Sequence, residues 1–476
     1  MLLEGDQNPN QALKTGEAMK KAITMVTVLA VAVFAQRVEF ERHSWGTGPA
    51  HGQGTLTSGD IDGDGKIDIV NAQKPYPLTW RSATDVNTAY PIETAATGTG
   101  CEIHAEDMDG DGDIDVIAPS SNMSSAPCWW ENPRPDGDPT QGPWTRHGNQ
   151  LSAGGEIHDM DVGDVNGDGM MDVVWRHKSN STTVLFQTSS GWTAKGLSLS
   201  GNEGTALADF DGDGDLDLCD GTSWYETPDN APDGNWTKHD IGGFGCSYRR
   251  VCVADVNLDG NLDVVVSVAE GESCPLVLFF GPDDPKSGSW AEHKILAASH
   301  NYNFHTLEAA DFDADGNIDL LTGTTHGGLG AESAYLKKAR IFFNNSGDFT
   351  DVEEMVWDTP KGMWQAQVAD IGSDGDPDIL NCDYGGGSGE VEFWENKTDP
   401  VAAKRSPLCP RSSETPSYRA GRGGLVLLST GARAFDIRGR GLPVSSGSIA
   451  PGIASGIVIV RDAKGGSPTV LPQVGR

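Results

Sequence analysis

The sequence predicts an all-β chain, a seven-bladed β-propeller with a small C-terminal β segment. Three observations lead there. One nine-residue, Asp-rich loop recurs seven times, a short apolar stretch follows each copy, and no helical apolar period is sustained anywhere. The loops start at Asp60, Asp107, Asp164, Asp209, Asp255, Asp311 and Asp370, so successive starts lie 47, 57, 45, 46, 56 and 59 residues apart. That period suits one four-stranded blade with connections of variable length.

The elements of a blade can be read in order. After each loop comes a stretch such as Ile67-Asp68-Ile69-Val70 or Leu216-Asp217-Leu218. A two-residue period predicts a strand with loop positions 8 and 10 on one face. Four repeats then end a further strand on an aromatic–Glu/Asn element: Trp129-Trp130-Glu131-Asn132, Trp224-Tyr225-Glu226, Phe342-Phe343-Asn344 and Trp394-Glu395-Asn396. Three add Trp-x-x-His, at Trp144/His147, Trp236/His239 and Trp290/His293. The last repeat stops at Asn396 without such a strand, whereas Val38–Trp45 is a strand without partners. The reading is that this N-terminal strand completes the seventh blade, leaving no long open sheet edge.

The loop pattern D-x-D-x-D-G-x-x-D points to a metal. Carboxylates at positions 1, 3 and 5 converge if the chain turns tightly, position 6 is a glycine able to take the left-handed conformation, and position 9 closes the site. The first two loops supply Asp60, Asp62, Asp64 and Asp68, then Asp107, Asp109, Asp111 and Asp115. The third and fifth replace position 3 by asparagine: Asp164, Asn166, Asp168 and Asp172, and Asp255, Asn257, Asp259 and Asp263. The fourth and sixth are complete, with Asp209, Asp211, Asp213 and Asp217, and Asp311, Asp313, Asp315 and Asp319. The seventh keeps Asp370, Asp374 and Asp378 but has Gly372 at position 3, so weak binding or none is expected there. All-oxygen donor sets of this kind suit calcium, up to seven ions, and an EF-hand is excluded because its last ligand falls at position 12 between helices.

The loops, the strand after them and the "ADφDxDGxxDφφφ" phrasing resemble FG-GAP/VCBS repeats, found in integrin α-subunit propellers and many secreted bacterial proteins. The resemblance covers residues 37–396 and implies a seven-bladed ring with calcium at the blade loops. The FG and GAP signatures are largely missing, with Phe280-Gly281-Pro282 the nearest echo. Integrin-like partner binding therefore does not follow.

The ends read differently. Residues 1–35 comprise an over-called start and a signal peptide: Met19-Lys20-Lys21 is the expected true start, and a short apolar run ends at Val33-Phe34-Ala35. Export to a secreted or cell-surface location is the expectation. The apolar run is too short to span a bilayer, which takes ~20 residues. Residues 36–396 are the propeller and 397–423, rich in Pro, Ser and Arg, a linker. Within 424–476, Ala434-Phe435-Asp436-Ile437-Arg438-Gly439-Arg440, Ala450-Pro451-Gly452 and Ile457–Arg461 resemble the C-terminal sorting domains of type IX secretion substrates.

The formal charge is −35, which excludes nucleic-acid binding, since phosphate contacts need a basic surface. Charge is split, however: residues 397–476 hold 12 Lys/Arg against 4 Asp/Glu. The eight cysteines form no CxxC pair, so a zinc ribbon is not expected. Cys101–Cys128 and Cys252–Cys274 are candidate disulfides because each lies within one repeat, although sequence alone leaves the connectivity open.

A ligand site is expected at the propeller axis. The residue six before each loop should open an innermost strand, and there stand His158, Glu203, Arg249, His305 and Trp364. Two readings follow for an expected monomer. One is binding of an extracellular glycan or surface protein, with Trp364 stacking on a sugar and Arg249 and the histidines holding its polar groups, or cell-surface adhesion, which needs no pocket at all. The other is a polysaccharide lyase or sugar dehydratase, in which an arginine neutralises a uronate and His158, His305 or Tyr248 moves a proton.

Overall fold

Position 6 of every loop is a glycine with φ between 89° and 106°, a region that costs other residues energy. This turn sends the strand leaving each loop back antiparallel to the strand entering it. In the computed structural model, position 4 shares the left-handed conformation in all seven loops, including Leu258, Ala314 and Ser373, where no glycine stands. The structure describes residues 37–45, 54–73, 77–96, 102–120, 126–148, 157–177, 181–270, 273–298, 302–324, 337–359, 362–371, 373–382 and 391–398, and short strands between 433 and 471.

Twenty-eight strands make seven four-stranded antiparallel sheets, with no helix among the described residues. The first blade contains Gly54–Gly59, Asp68–Gln73, Pro77–Ser82 and Asp85–Ala96, and the next five repeat that order. In each, the Asp-rich loop joins the innermost strand to the second. The seventh is assembled from both ends: Gln365–Ala369, Asp378–Cys382 and Val391–Asn396 come late in the chain, and Phe40–Trp45 is its outermost strand. Phe40 pairs with Asn396 and Trp45 with Val391, as the unpartnered N-terminal strand predicted.

Seven apolar clusters fill the seven gaps between blades. One joins Val70 and Trp80 of blade one to Val116 and Trp130 of blade two; another joins Leu56 and Ile69 to Leu380 and Phe393, closing the ring. The second strands therefore have neighbours on both faces. Asp115–Pro119, Asp172–His177 and Asp263–Val268 are buried at every position. Loop positions 8 and 10 share one face, as Ile67 and Ile69 do, while the opposite face is buried too, because a blade wedged between two others buries both faces, as parallel sheets under helices do.

The disulfide reading is also corrected. Cys246, in the segment before the fifth blade, bonds Cys274, with Cα atoms 6.3 Å apart. Cys252 is fixed mid-strand opposite Val265, and Cys128 is a free thiol. Cys101 lies outside the described residues, as do the segment read as a signal peptide and nearly all of residues 397–423. In the C-terminal region, Gly441–Leu442, Arg433–Phe435, Val458–Arg461 and Thr469–Leu471 form one small sheet in that order, and Phe435 pairs with Ile459.

Candidate metal loops and channel site

The last aspartate of each loop is the best-anchored group in it. One carboxylate oxygen accepts the backbone N–H of loop position 2, as from Ile61 to Asp68, Val256 to Asp263 and Ile371 to Asp378. The other accepts an N–H from near the end of the third strand: Ala83 to Asp68, Asn132 to Asp115, Asn344 to Asp319 and Asn396 to Asp378. The first aspartate takes the N–H of the position-6 glycine, as from Gly65 to Asp60 and Gly316 to Asp311. Backbone donors thus hold two of the carboxylates that sequence marked as ligands.

In four loops these bonds gather three carboxylates with ligand oxygens within 4.8 Å of one another. They are Asp60, Asp62 and Asp68; Asp107, Asp109 and Asp115; Asp209, Asp211 and Asp217; and Asp311, Asp313 and Asp315. Loops three and five place Asn166 and Asn257 at the third position, each amide donating to the fifth-position aspartate. Gly372 of loop seven lies outside the described residues. Such crowding is costly without a cation. Burial pushes Asp68 and Asp172 up to about 7, Asp115 and Asp263 to about 8 and Asp217 to about 9, and neighbouring loop carboxylates push the same way. The donor set, hard oxygens with buried carboxylates short of counter-charge, fits a divalent cation of the calcium class. Two side chains already reach in: Arg37 ion-pairs with Asp313 and Asp315, and Lys286 with Asp211.

A signal in the sequence pointed to a further set of residues whose role was missed. The asparagines that follow the third-strand aromatics tie loops together. Asn132 donates to Ile61 of the preceding loop and Ile114 of its own, Asn344 to Val256 and Ile318, and Asn396 to Phe312 and Pro377. The histidines of Trp-x-x-His also have a place. His147 stacks on Trp129 and bonds Glu131, and His239 stacks on Trp224 and bonds Glu226.

At the axis the innermost strands leave a cavity of about 130 Å³ lined by Glu102, His104, Asp159, Asp161, Arg250, His305, Glu308 and Gln365, among others. Of the five expected residues, His305 alone lines it. His158 bonds buried Glu203, and His305 lies flat against Trp364 with ring centroids 3.5 Å apart. His305 Nδ1 also lies 2.8 Å from the Trp364 carbonyl oxygen. Arg249 turns away: it donates to the carbonyl oxygens of Cys246 and Asp220 and packs between blades. Its neighbour Arg250 takes the axial place, ion-paired with Asp159 and 3.9 Å from Glu203, and donates to the His305 carbonyl oxygen. Adjacent strand residues point to opposite faces, so an error of one in phase selects the wrong arginine.

The electrostatics of the cavity are acidic despite Arg250. Burial pushes Glu102 up to about 8, helped by Asp159 and Asp161 and opposed by Arg250. Burial, then the Arg250 charge, holds His305 below the ordinary histidine range. Glu270, though raised by burial, is held low by its bond to His305 and by His158 and Arg250.

Residues 107–175 and 164–219 match the family described as the FG-GAP-like repeat. The chain carries FG-GAP-like repeats. These matched segments contain loops two to four, and the FG-GAP-like loop recurs on all seven blades. The sequence matches no curated protein. Among solved structures, BBS1N in complex with ARL6DN is similar at 12% identity in two crystals. The lead-soaked crystal gives a TM-score of 0.45 over 73% of this chain and 93% of that one. The mercury-soaked crystal gives 0.47 over 75% and 96%. The Tc holotoxin pore of Photorhabdus luminescens is similar at 14% identity and a TM-score of 0.35, over 76% of this chain and 15% of that one. No described helix is long and apolar enough to cross a membrane.

Proposed function

We propose that this chain is an extracellular, calcium-loaded binding propeller that takes an uncharged, hydroxyl-rich glycan at the mouth of its channel. Calcium is assigned to the FG-GAP-like loops from their donor set, with loops one, two, four and six the strongest and loop seven the weakest. Export rests on the basic, apolar segment ending at Ala35. The observation that carries the ligand reading is the composition of the axial cavity, in which carboxylates, glutamines and histidines converge in a small, partly open space. Carboxylates accept from sugar hydroxyls, while imidazoles and amides can answer as donors.

The same observation weighs against a uronate lyase. Such an enzyme needs a cation free to neutralise the substrate carboxylate, and Arg250 already faces Asp159 and Glu203. Trp364 offers little stacking surface, since His305 covers one face and the residue is 9% exposed.

The test is calorimetric titration of the full-length protein, in calcium, with neutral and with uronate-containing oligosaccharides. Binding of neutral sugars that is lost in Gln365→Ala and in Gln367→Ala supports the reading. Binding unaffected by either change, preference for uronates, or release of an unsaturated uronate would overturn it.

A further inference from the structure

Away from the loops and the channel, another cluster sits on the seam that closes the ring. Glu41 and His43 belong to the N-terminal strand of blade seven, and Glu395 to the strand it pairs with. Each of the three offers a ligand atom, and the three atoms lie within 4.8 Å of one another. His43 Nε2 is 2.9 Å from Glu395 Oε2, and Lys397 ion-pairs with the other oxygen, Oε1.

The repeat itself supplies the comparison. Blades two and four carry the same His–Glu pair in the same register, His147 with Glu131 and His239 with Glu226. Opposite those glutamates stand Thr145 and Thr237. In blade seven the threonine is replaced by Glu41, directly across from Glu395. Like charges facing each other across a strand pair oppose pairing. Here they do so on the one sheet whose strands come from opposite ends of the propeller sequence, where pairing matters most.

We propose that Glu41, His43 and Glu395 hold a zinc-class divalent cation that clasps the two ends of the ring. One imidazole nitrogen and two carboxylate oxygens form a three-ligand set with room for water in the remaining position. The imidazole distinguishes this site from the FG-GAP-like loops, since nitrogen donors favour zinc-class ions and oxygen-only sets favour calcium. Glu395 can share Oε2 with the ion while Oε1 stays with Lys397. The cation turns the repulsion between Glu41 and Glu395 into a bridge from the first described strand to the last strand of the propeller.

The experiment is zinc titration of the full-length protein with calcium saturating, read by calorimetry and by thermal unfolding. Wild type should take up one zinc per chain and gain thermal stability. Glu41→Thr, which recreates the arrangement of blades two and four, should weaken zinc binding by more than the ~10-fold lost with an outer-sphere partner and abolish the thermal gain. Because that change also removes a like-charge pair, it should fold at least as well as wild type without zinc. His43→Gln should match it in zinc binding. Zinc uptake that survives both changes, that disappears instead in His147→Gln or His239→Gln, or that leaves the unfolding temperature of wild type unmoved, would overturn the proposal.

Discussion

The side-chain amide of Asn132 donates to the carbonyl oxygen of Ile61, 71 residues earlier and one blade away, at 2.9 Å. Its second N–H meets Ile114 of its own loop, and its backbone N–H meets Asp115. One buried residue thus holds two FG-GAP-like loops in register. Asn132→Ala should cost about 1–3 kcal/mol, the penalty for orphaning buried carbonyls. It should also weaken the calcium affinity of the first two loops together. Urea unfolding and calcium titration read the two effects, and a change confined to one loop would contradict the linkage.

Removing calcium should loosen the ring. A site saturated at 100 times its dissociation constant contributes about 2.7 kcal/mol, so four emptied loops remove on the order of 10 kcal/mol. Excess chelator should therefore lower the unfolding temperature sharply, and Asp209→Asn should reproduce part of the fall. Asp374→Asn, in the incomplete seventh loop, should change little. Calorimetric scans with and without chelator decide this.

Loop position 4 yields a prediction with opposite signs at two sites. Ala314 is left-handed at φ 56°, so Ala314→Gly should stabilise by roughly 0.5–1 kcal/mol as strain is relieved. Gly110 has φ 80° and open space where a Cβ would stand, so Gly110→Ala should destabilise by about as much through backbone strain alone. Equal signs for the two changes would refute the account.

Glu102 gives the channel a pH signature. Its folded value, about 8, lies above the ordinary 4.5, so folding favours the protonated acid. The stability it contributes is complete below pH 4.5, declines as pH rises, and is gone above about 8. With calcium saturating, Glu102→Gln should flatten that part of the profile. An unchanged slope between pH 5 and 8 in denaturant unfolding would exclude Glu102 as its source.

Arg250 should be more important to folding than Arg249's neighbours suggest from sequence. Removing its charge takes the paired cation from buried Asp159 and from the side of Glu203 not bonded to His158, and Arg250→Met should cost on the order of 3–5 kcal/mol. Asp159→Asn in the same background should recover part of that loss, as measured by a double-mutant cycle in urea.

The Asp-rich loops were legible in the sequence because the same residue types recur at the same offsets seven times along the chain. The N-terminal strand was legible for a related reason, since a seventh repeat lacking its last strand requires one from elsewhere. Features depending on phase were harder to read. Arg249 and Arg250 differ by one position and face opposite ways, and Cys246 rather than Cys252 meets Cys274 because a mid-strand thiol cannot leave its ladder. The burial of Asp172–His177 on both faces follows from ring geometry, which no single strand records. The asparagine ties escaped notice because their partners are main-chain carbonyls on another blade, and carbonyls leave no trace in side-chain composition.

Phe40–Trp45 can find its partner only after Val391–Asn396 has been made, some 350 residues later, where Arg42 meets Glu392. A ribosome or export channel that delivers the N-terminus first hands over a ribbon with an unmatched end, and six complete blades must wait on the seventh. Closure is then a search across the full length of the ring, the slow kind of step that grows with sequence separation. Until it is complete the ring has two raw sheet edges, and the interval between synthesis and closure is when this chain is most open to mispairing with another copy of itself.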